Sequence, residues 1–425
     1  IIVRGFLMLI ASGTFLLWTG NFFYKPLRLI DALFTATSAV CVAGLIVVDT
    51  GSFLSPFSQW VVLLLIQMGG LGVMTAFTAL PLLRGSKIGI RQRLLFTGGL
   101  GLDTPAGAVR LLAKILKMTF AIELFGALLL FGAFLEYFEP ARAMYNAVFH
   151  SVSAFCNAGF STFSGSLVAF SETGTIPGTV MALIVLGGLG FIPLSEVVSL
   201  PRGRRLSPYC RLVLSVTFTL IIVGSFLLLI SEWNGLFRGI PFHLKIWNAL
   251  FQSITARTAG FNTISIPAMS TTGLFVLCLL MIIGASPGST GGGMKTTTFG
   301  ILALSSITDI RGRKEVVLSG HRLPPQTVRK ALTLTFLYVG TILGSAFILS
   351  LTEPFDFRGV FFEVVSALGT VGLSTGITGE LSDTGKLILI LLMFWGRVGI
   401  VTFVYGMLET EDKTRISYAD TNVPI

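Results

Sequence analysis

One short segment recurs four times along this chain, and any fold proposed for it has to place all four copies. Residues 146–160 read NAVFHSVSAFCNAGF, and residues 248–261 read NALFQSITARTAGF, with one residue fewer ahead of the last glycine. ALFTATSAVCVAGL at 32–45 and VFFEVVSALGTVGL at 360–373 are the other two copies. The copies align on Gly44, Gly159, Gly260 and Gly372. Self-similarity at domain-scale spacing indicates an internally repeated architecture.

Each copy predicts a short helix followed by irregular backbone. About ten amphipathic, small-residue-rich positions form a helix roughly 15 Å long, half of a hydrocarbon core. Irregular backbone at membrane depth is tolerated only where it is packed in protein or lines a watery cavity. Four such re-entrant loops around one axis would form a ring of backbone carbonyls that can replace the hydration shell of a cation. The C-terminal ends of the four short helices would add partial negative charge facing that ring. The predicted filter residues are Val42, Ala43, Gly44, Asn157, Ala158, Gly159, Thr258, Ala259, Gly260, Thr370, Val371 and Gly372.

Each copy lies between two apolar stretches close to the ~20 residues that cross a bilayer. The first stretches are 5–22, 115–136, 212–231 and 331–351, and the second are 60–83, 178–200, 273–304 and 386–407. With 12% charged residues, 53% hydrophobic residues and a mean hydropathy of +0.85, the chain falls in the membrane class. The predicted fold is an all-α polytopic membrane protein in which four repeats of span, pore loop and span place eight transmembrane helices around one pseudo-fourfold ion pore. The repeats cover 1–92, 93–211, 212–312 and 313–425.

Charge predicts the orientation of the chain. Most of the 30 lysines and arginines lie in the linkers between repeats and in the terminal segments, and few lie on the opposite face. The positive-inside rule therefore places the linkers and both termini in the cytoplasm, so that the pore loops enter from outside. The net charge of +10 needs no nucleic acid to explain it.

Three basic residues, Arg257, Lys295 and Arg397, lie in sequence at membrane depth, where charge is costly and indicates function. A cation in the permeation path would repel the cargo. For Arg257 we therefore favour a structural ion pair that braces the filter from behind, with Glu363 of the fourth copy as its partner.

The second span of the third repeat is interrupted at 284–295 by a run too rich in glycine and proline for a helix. A break at membrane depth indicates a pathway or a gate, and an ordinary loop between two short spans is the alternative. The predicted gate residues are Gly284, Ser286, Pro287, Gly288, Ser289, Thr290, Gly291, Gly292, Gly293, Lys295 and Arg397. A role for Arg397 in tying the last helix to the broken one is an equal alternative.

Glycine clusters at 69–72 and 187–190 occupy the matching place in the first two repeats. Close helix packing is the favoured interpretation, with flexing of the inner helices as the alternative. Glu123 is expected to hydrogen-bond between helices, a proton relay being the alternative. A membrane-embedded enzyme would need a spaced nucleophile, carboxylate pair or metal cluster, and the sequence offers none.

The segments SVSAFCNAGF, SITARTAGFNT and TSAVCVAGL resemble the pore loops of the Trk/Ktr/HKT superfamily of potassium and sodium transporters, and the resemblance runs from about Arg4 to the C-terminus. It implies K⁺ at the filter residues, because glycine at all four filter positions goes with potassium and a serine in the first with sodium. A sodium or mixed transporter is the alternative. Ala43 stands where relatives often have threonine. This difference replaces a hydroxyl by a methyl group but keeps the backbone carbonyl, so it bears on ion affinity at the outer site and not on the class of ion.

The chain is most similar to the bacterial Ktr-type subunit of that superfamily. The resemblance implies a homodimer in the cytoplasmic (inner) membrane among lipids, with a 284–295 loop that obstructs the pore beneath the filter. It also implies a cytosolic nucleotide-binding regulatory ring of the RCK type, KtrA-like, and sodium-dependent uptake. No GxGxxG fingerprint occurs in this chain, so any nucleotide is expected to bind a separate subunit, and no organic cofactor is expected here.

Overall fold

The computed structural model describes residues 2–72, 108–200 and 205–399. Three predicted features lie partly outside these residues: the end of the first repeat's second span (73–83) with the linker after it, the middle of the second linker, and the last span beyond 399 with the tail. Within the described residues the regular structure is helical, apart from one hairpin of β1 (Val317–Leu318) with β2 (His321–Arg322) and an isolated bridge between Ile283 and Met294. The helices are α1 (Ile2–Gly20), α2 (Leu29–Cys41), α3 (Pro56–Gly70), α4 (Ala108–Phe134), α5 (Pro140–Phe155), α6 (Thr175–Leu189), α7 (Phe191–Val197), α8 (Pro208–Ser231), α9 (Phe242–Thr255), α10 (Thr271–Ile282), α11 (Thr296–Ile310), α12 (Pro325–Thr352), α13 (Phe357–Gly369) and α14 (Asp383–Val398).

Four described helices, α1, α4, α8 and α12, are long and apolar enough to cross a bilayer. They coincide with the four predicted first spans. In α8, Ser207 caps the helix by accepting from the Cys210 amide, and a proline follows at the first helical position. Phe218, Ile222 and Phe226 recur at a spacing of four and are exposed along one face of this helix. An apolar face without protein cover indicates contact with lipid.

The four recurring segments form the pore helices, which are α2, α5, α9 and α13. They have 13 to 16 residues, or about 20–24 Å at the α-helical rise, too short to cross the hydrocarbon core. One equivalent position in every copy is a phenylalanine with at most 1% of its surface exposed: Phe34, Phe149, Phe251 and Phe362. The burial of this ring at the same register anchors each pore helix in the interior.

The second helices differ from the prediction of continuous spans. They have only 12 to 16 residues: α3, α6, α10 and α14. The sequence predicted a break in the third repeat alone, yet the second repeat is also broken, because α6 and α7 meet at an angle of 109°. Gly190 at this junction has φ +92°, and Gly399 after α14 has φ +91°, a geometry that glycine adopts at little cost. The prediction of an unbroken span at 178–200 was therefore wrong.

The helices pack in a closed order around the centre. Each second helix contacts the next pore helix along the chain: α3 packs on α5, α6 on α9, and α10 on α13. The last helix, α14, packs on the first pore helix, α2, and closes the circle. The first and the last repeat meet at this seam, and two ion pairs join them there. Lys386 Nζ lies 2.8 Å from Asp31 Oδ1 in the interior, and Arg28 pairs with Asp383 at 2.6 Å on the surface.

Candidate cation pore

Every pore helix is followed by the same backbone turn. Two residues before each filter glycine, a residue other than glycine has positive φ: Val42 at 55°, Asn157 at 58°, Thr258 at 75° and Thr370 at 50°. The glycines follow at 78°, 69°, 80° and 94° for Gly44, Gly159, Gly260 and Gly372. Positive φ is rare for branched side chains, and such strain persists only where the surrounding structure imposes it. The four copies thus adopt one conformation, and the last position favours glycine.

The four turns meet in a ring. A Cβ built on Gly44 would lie 2.6 Å from the carbonyl oxygen of Ala158, and one on Gly159 would lie 2.6 Å from that of Ala259. The same contact runs from Gly260 to the Val371 oxygen and from Gly372 to the Ala43 oxygen, which closes the circle. A side chain at any of these positions would collide with the backbone of the next copy. The structure therefore brings the predicted filter positions of all four copies together, with one carbonyl beside each glycine.

In three of the four copies, a hydroxyl at one recurring register of the pore helix is hydrogen-bonded to the turn. Ser153 donates to the Phe160 carbonyl at 2.7 Å, and Thr255 donates to the Phe261 carbonyl at 2.7 Å. In the fourth copy, Ser366 accepts from the Gly372 amide at 3.1 Å. The filter backbone is thereby bound to the helix before it and not to solvent, which makes the turn rigid.

The structure does not form the predicted ion pair between Arg257 and Glu363. The Arg257 guanidinium lies 3.4–3.5 Å from the hydroxyl and carbonyl of Thr217 on α8, while Glu363 accepts from residues 374–378. Arg257 comes just before its filter turn, and Glu363 contacts the segment after its own, so the two face opposite ends of the ring. Within the described part of the chain, the hydrogen bonds of the Arg257 side chain go to Thr217 on α8.

The 284–295 loop lies directly against the filter. A Cβ on Gly291 would collide with the Thr258 hydroxyl, and one on Gly292 with the Thr370 hydroxyl. The loop folds on itself, with the Gly284 amide donating to the Met294 carbonyl at 2.8 Å. Both threonines are filter residues on the side of the ring nearest their pore helices. The loop therefore occupies the space next to the filter.

The broken second helix of the second repeat holds this loop. The amides of Ser286 and Thr290 donate to the carbonyls of Gly188 and Gly187 at 3.1 and 3.3 Å, and the Phe191 amide donates to Gly288 at 2.9 Å. Close packing at the 187–190 cluster was predicted, and Gly187 does lie against the Phe155 carbonyl. The sequence analysis missed that the carbonyls of this cluster accept hydrogen bonds from the loop, because every residue has a backbone carbonyl and no side-chain pattern identifies those that accept.

Arg397 joins three elements at the base of the ring. Its guanidinium donates to the carbonyl of Thr290 in the loop and to those of Gly69 and Gly70 at the end of α3, the last at 3.3 Å. Lys295 donates to the Gly291 carbonyl at 3.1 Å within the loop. The structure thus brings Arg397, Lys295 and the loop together, and the predicted tie between the last helix and the broken one is present.

A polar cluster that the sequence did not reveal lies beside the second filter turn. Gln67 on α3 donates to the Glu123 carboxylate on α4 at 3.2 Å, and the Cys156 thiol lies 3.7 Å from Gln67. This agrees with the predicted helix-to-helix hydrogen bond of Glu123. Among the described residues, no three His, Cys, Asp or Glu side chains form a metal cluster.

Comparisons with known proteins identify the family of this chain. The family model described as TrkH, cation transport protein, matches residues 1–411. The chain belongs to this family. It is 38% identical to the potassium/sodium uptake protein NtpJ of Enterococcus hirae, over 98% of this chain and 94% of that one. It is 36% identical to Ktr system potassium uptake protein B of Bacillus subtilis, over 100% of this chain and 95% of that one.

The fold also matches a solved structure. The potassium transporter TrkH from Vibrio parahaemolyticus superimposes with a TM-score of 0.75, covering 95% of this chain and 85% of that chain at 21% identity. Similarity at this level of identity shows the helical fold alone. The family consists of cation transporters, so the protein is a transporter and not an enzyme, and the alternative of a membrane-embedded enzyme is rejected.

Proposed function

We propose that this chain takes up potassium across the bacterial cytoplasmic membrane through one pore made of four repeats of span, pore loop and span. The repeats cover 1–92, 93–211, 212–312 and 313–425, with eight crossings and both termini in the cytoplasm. The observation that carries the proposal is the cyclic arrangement in which a Cβ on each filter glycine would collide with a carbonyl of the next copy. A ring of carbonyls is the chemistry that replaces the hydration shell of a potassium ion.

Potassium is favoured over sodium by glycine at all four filter positions. The relatives from Bacillus subtilis and Vibrio alginolyticus are named potassium uptake proteins, whereas the Enterococcus hirae relative is named for potassium and sodium. Sodium transport, or transport of both ions, is therefore the second candidate. The ions are cargo and would be held by backbone carbonyls, with no organic cofactor.

The 284–295 loop and Arg397 act as the gate in this proposal. The loop lies against Thr258 and Thr370, and it is held by α6, α7 and the Arg397 guanidinium. These holding contacts are hydrogen bonds to backbone carbonyls, so a small movement of α14 or of the α6–α7 junction would release the loop. The positive charges of Lys295 and Arg397 would in addition disfavour a cation next to them.

The proposed assembly is a homodimer, regulated by a cytosolic nucleotide-binding ring. Two relatives are named as parts of a Ktr system, a name that implies more than one component. The basic linkers and tail provide a cytoplasmic face for an acidic ring, while anionic lipid headgroups are the alternative partner for this charge. Co-purification from a native membrane separates the two. Isolation of the chain alone, with potassium flux insensitive to ATP and ADP in native vesicles, would reject the ring.

The transport proposal is tested by ion flux into liposomes that carry the purified full-length chain. We expect rubidium and potassium uptake to exceed sodium uptake, and an excess of external potassium to inhibit rubidium entry. Parallel measurements with and without sodium determine whether sodium is required. Liposomes without protein provide the background. Equal uptake of sodium and potassium at every concentration would reject potassium selectivity and favour the mixed transporter.

A further inference from the structure

The four pore helices carry different polar residues at one equivalent buried position. The position directly after the buried phenylalanine of each pore helix is occupied by Thr35, His150, Gln252 and Glu363, and none is more than 2% exposed. His150 Nε2 lies 2.9 Å from the Ser161 hydroxyl, and Gln252 lies 3.5 Å from Thr263. In these two copies the side chain makes one contact with the segment that follows the filter. Glu363 is the one acidic residue of the set.

Glu363 makes a far larger set of contacts than its counterparts. Its Oε1 accepts from the Ser374 hydroxyl at 2.6 Å and from the Thr375 amide at 3.0 Å, and its Oε2 accepts from the Thr378 hydroxyl at 2.7 Å. Ser374 and Thr378 also contact each other at 2.8 Å, and the Gly376 amide donates to Ser374 at 2.9 Å. One carboxylate therefore organises the whole turn at 374–378, which begins two residues after Gly372.

The partners of Glu363 favour the ionised carboxylate. Its contacts are one amide, which can only donate, and hydroxyls that can donate. A buried carboxylate without a basic partner is retained where its hydrogen bonds are complete, and this one has bonds to both oxygens. No lysine or arginine of the described chain forms an ion pair with it. When ionised, Glu363 has no basic partner among the described residues to cancel its charge, and that charge would act on the adjoining end of the filter.

We propose that Glu363 is a specificity-determining and positioning residue for cation passage. It holds the 374–378 turn in place beyond the fourth filter strand, and it supplies a negative charge that the equivalent positions of the other three copies lack. In a medium of low dielectric constant, this charge favours a cation at the near end of the filter. The proposal rests on the proposed filter, and it assigns to one copy a role that the near-fourfold backbone does not reveal.

The test compares charge-altering variants of the full-length protein in potassium flux. Replacing Glu363 by Gln keeps the size of the side chain and removes the charge, and we expect the potassium concentration for half-maximal flux to rise about tenfold. Glu363→Asp keeps the charge and shortens the reach, so the rise should be smaller. Gln252→Glu in the Glu363→Gln background restores one charge at the equivalent position of the neighbouring copy. We expect this double variant to recover most of the lost potassium affinity.

A second readout keeps the proposal testable if flux is too low to measure. Potassium that binds the folded protein raises its unfolding temperature in detergent, with a dependence on concentration that reports affinity. The midpoint of this dependence should move about tenfold in Glu363→Gln and return in the double variant. A Glu363→Gln protein with parent potassium affinity would overturn the proposal. So would a loss of affinity that Gln252→Glu does not restore, because a purely structural role of Glu363 predicts that result.

Failure of this inference is distinguishable from failure of the proposed filter. Gly44→Ser perturbs the ring itself, at a different copy and without changing charge. If Gly44→Ser alters the preference between potassium and sodium while Glu363→Gln does not alter potassium affinity, only the role of Glu363 is rejected. If neither variant changes ion preference or affinity, the filter is rejected as well.

Discussion

Removal of the Arg397 guanidinium should release the 284–295 loop from the filter. Arg397 donates to the loop only through the Thr290 carbonyl, and its other bonds go to Gly69 and Gly70 on α3. When the loop moves away, the bond to Thr290 is lost, while those to α3 can persist. The bond to Thr290 therefore determines how much Arg397 stabilises the closed state.

The size of the effect follows from that one bond. A hydrogen bond from a charged donor contributes about 1.5–3 kcal/mol, and each ~1.4 kcal/mol changes an equilibrium constant tenfold. We therefore expect Arg397→Met to shift the equilibrium between closed and open loop by about 10- to 100-fold toward open. Arg397→Gln retains a neutral donor and should shift it less. Lys295→Gln leaves the obstruction in place and removes one repulsive charge, so its effect should be the smallest of the three.

The assay is potassium efflux from loaded liposomes that carry the purified chain without other subunits. The parent protein sets the basal rate, and Arg238→Gln, at an exposed arginine on the surface, is the matched control. Efflux through Arg397→Met should rise by at least tenfold and that through Arg238→Gln should not. Monodisperse elution and the yield of protein are checked for each variant, since a folding defect lowers flux. A well-folded Arg397→Met protein with the parent rate would refute the assignment of Arg397 to the gate.

Three further predictions test the ring, the loop and the seam. Gly44→Ser should reduce the preference of uptake for potassium over sodium, because a side chain there collides with the Ala158 carbonyl. Gly340→Ser, in open space on α12, is the control and should leave the preference unchanged. Equal preferences in both variants would count against the ring. Deletion of 288–292 should raise potassium flux and make it independent of regulatory subunits, and a folded deletion protein with parent flux and intact regulation would show that the loop is not the gate. Asp31→Asn or Lys386→Met alone should destabilise the protein by about 3–5 kcal/mol in thermal unfolding, because each leaves a buried charge unpaired. The double variant should be more stable than either single variant. Additive losses would refute the coupling between Asp31 and Lys386.

The four turns could be predicted from sequence because their requirement is local. A turn that needs positive φ at its last position favours glycine, and four glycines in one register after four similar helices identify the turns without any tertiary information. The four long spans were predictable for a similar reason, since uninterrupted apolar sequence of that length has few other uses. In both cases the decisive property belongs to one segment of chain.

The incorrect or missing predictions concern the direction in which side chains point and the hydrogen bonds that backbone carbonyls accept. Sequence places Arg257 and Glu363 at similar depth, but it does not show that one precedes its filter turn and faces α8 while the other faces the turn beyond. The break at Gly190 left a local signal, a glycine followed by Pro193 near the start of a helix, but the sequence analysis favoured close packing there over flexing of the helix. The acceptors of Arg397 are carbonyls, which every residue has, so no pattern of side chains identifies them.

The seam between the last and the first repeat differs from the other three contacts between repeats. Three neighbouring pairs of repeats are joined by the chain itself, and the fourth pair is held by packing of α14 on α2 and by the Asp31–Lys386 pair. The same helix, α14, carries Arg397 at its other end, three turns away, where it holds the loop. An ion pair fixed in the interior anchors one end of α14, so that movement of the opposite end changes the contact with Thr290 while the filter side of the helix stays in register. The ion pair and the contact with the loop thus lie on one helix, and a loosened seam should weaken control of the proposed gate as well as the stability of the ring.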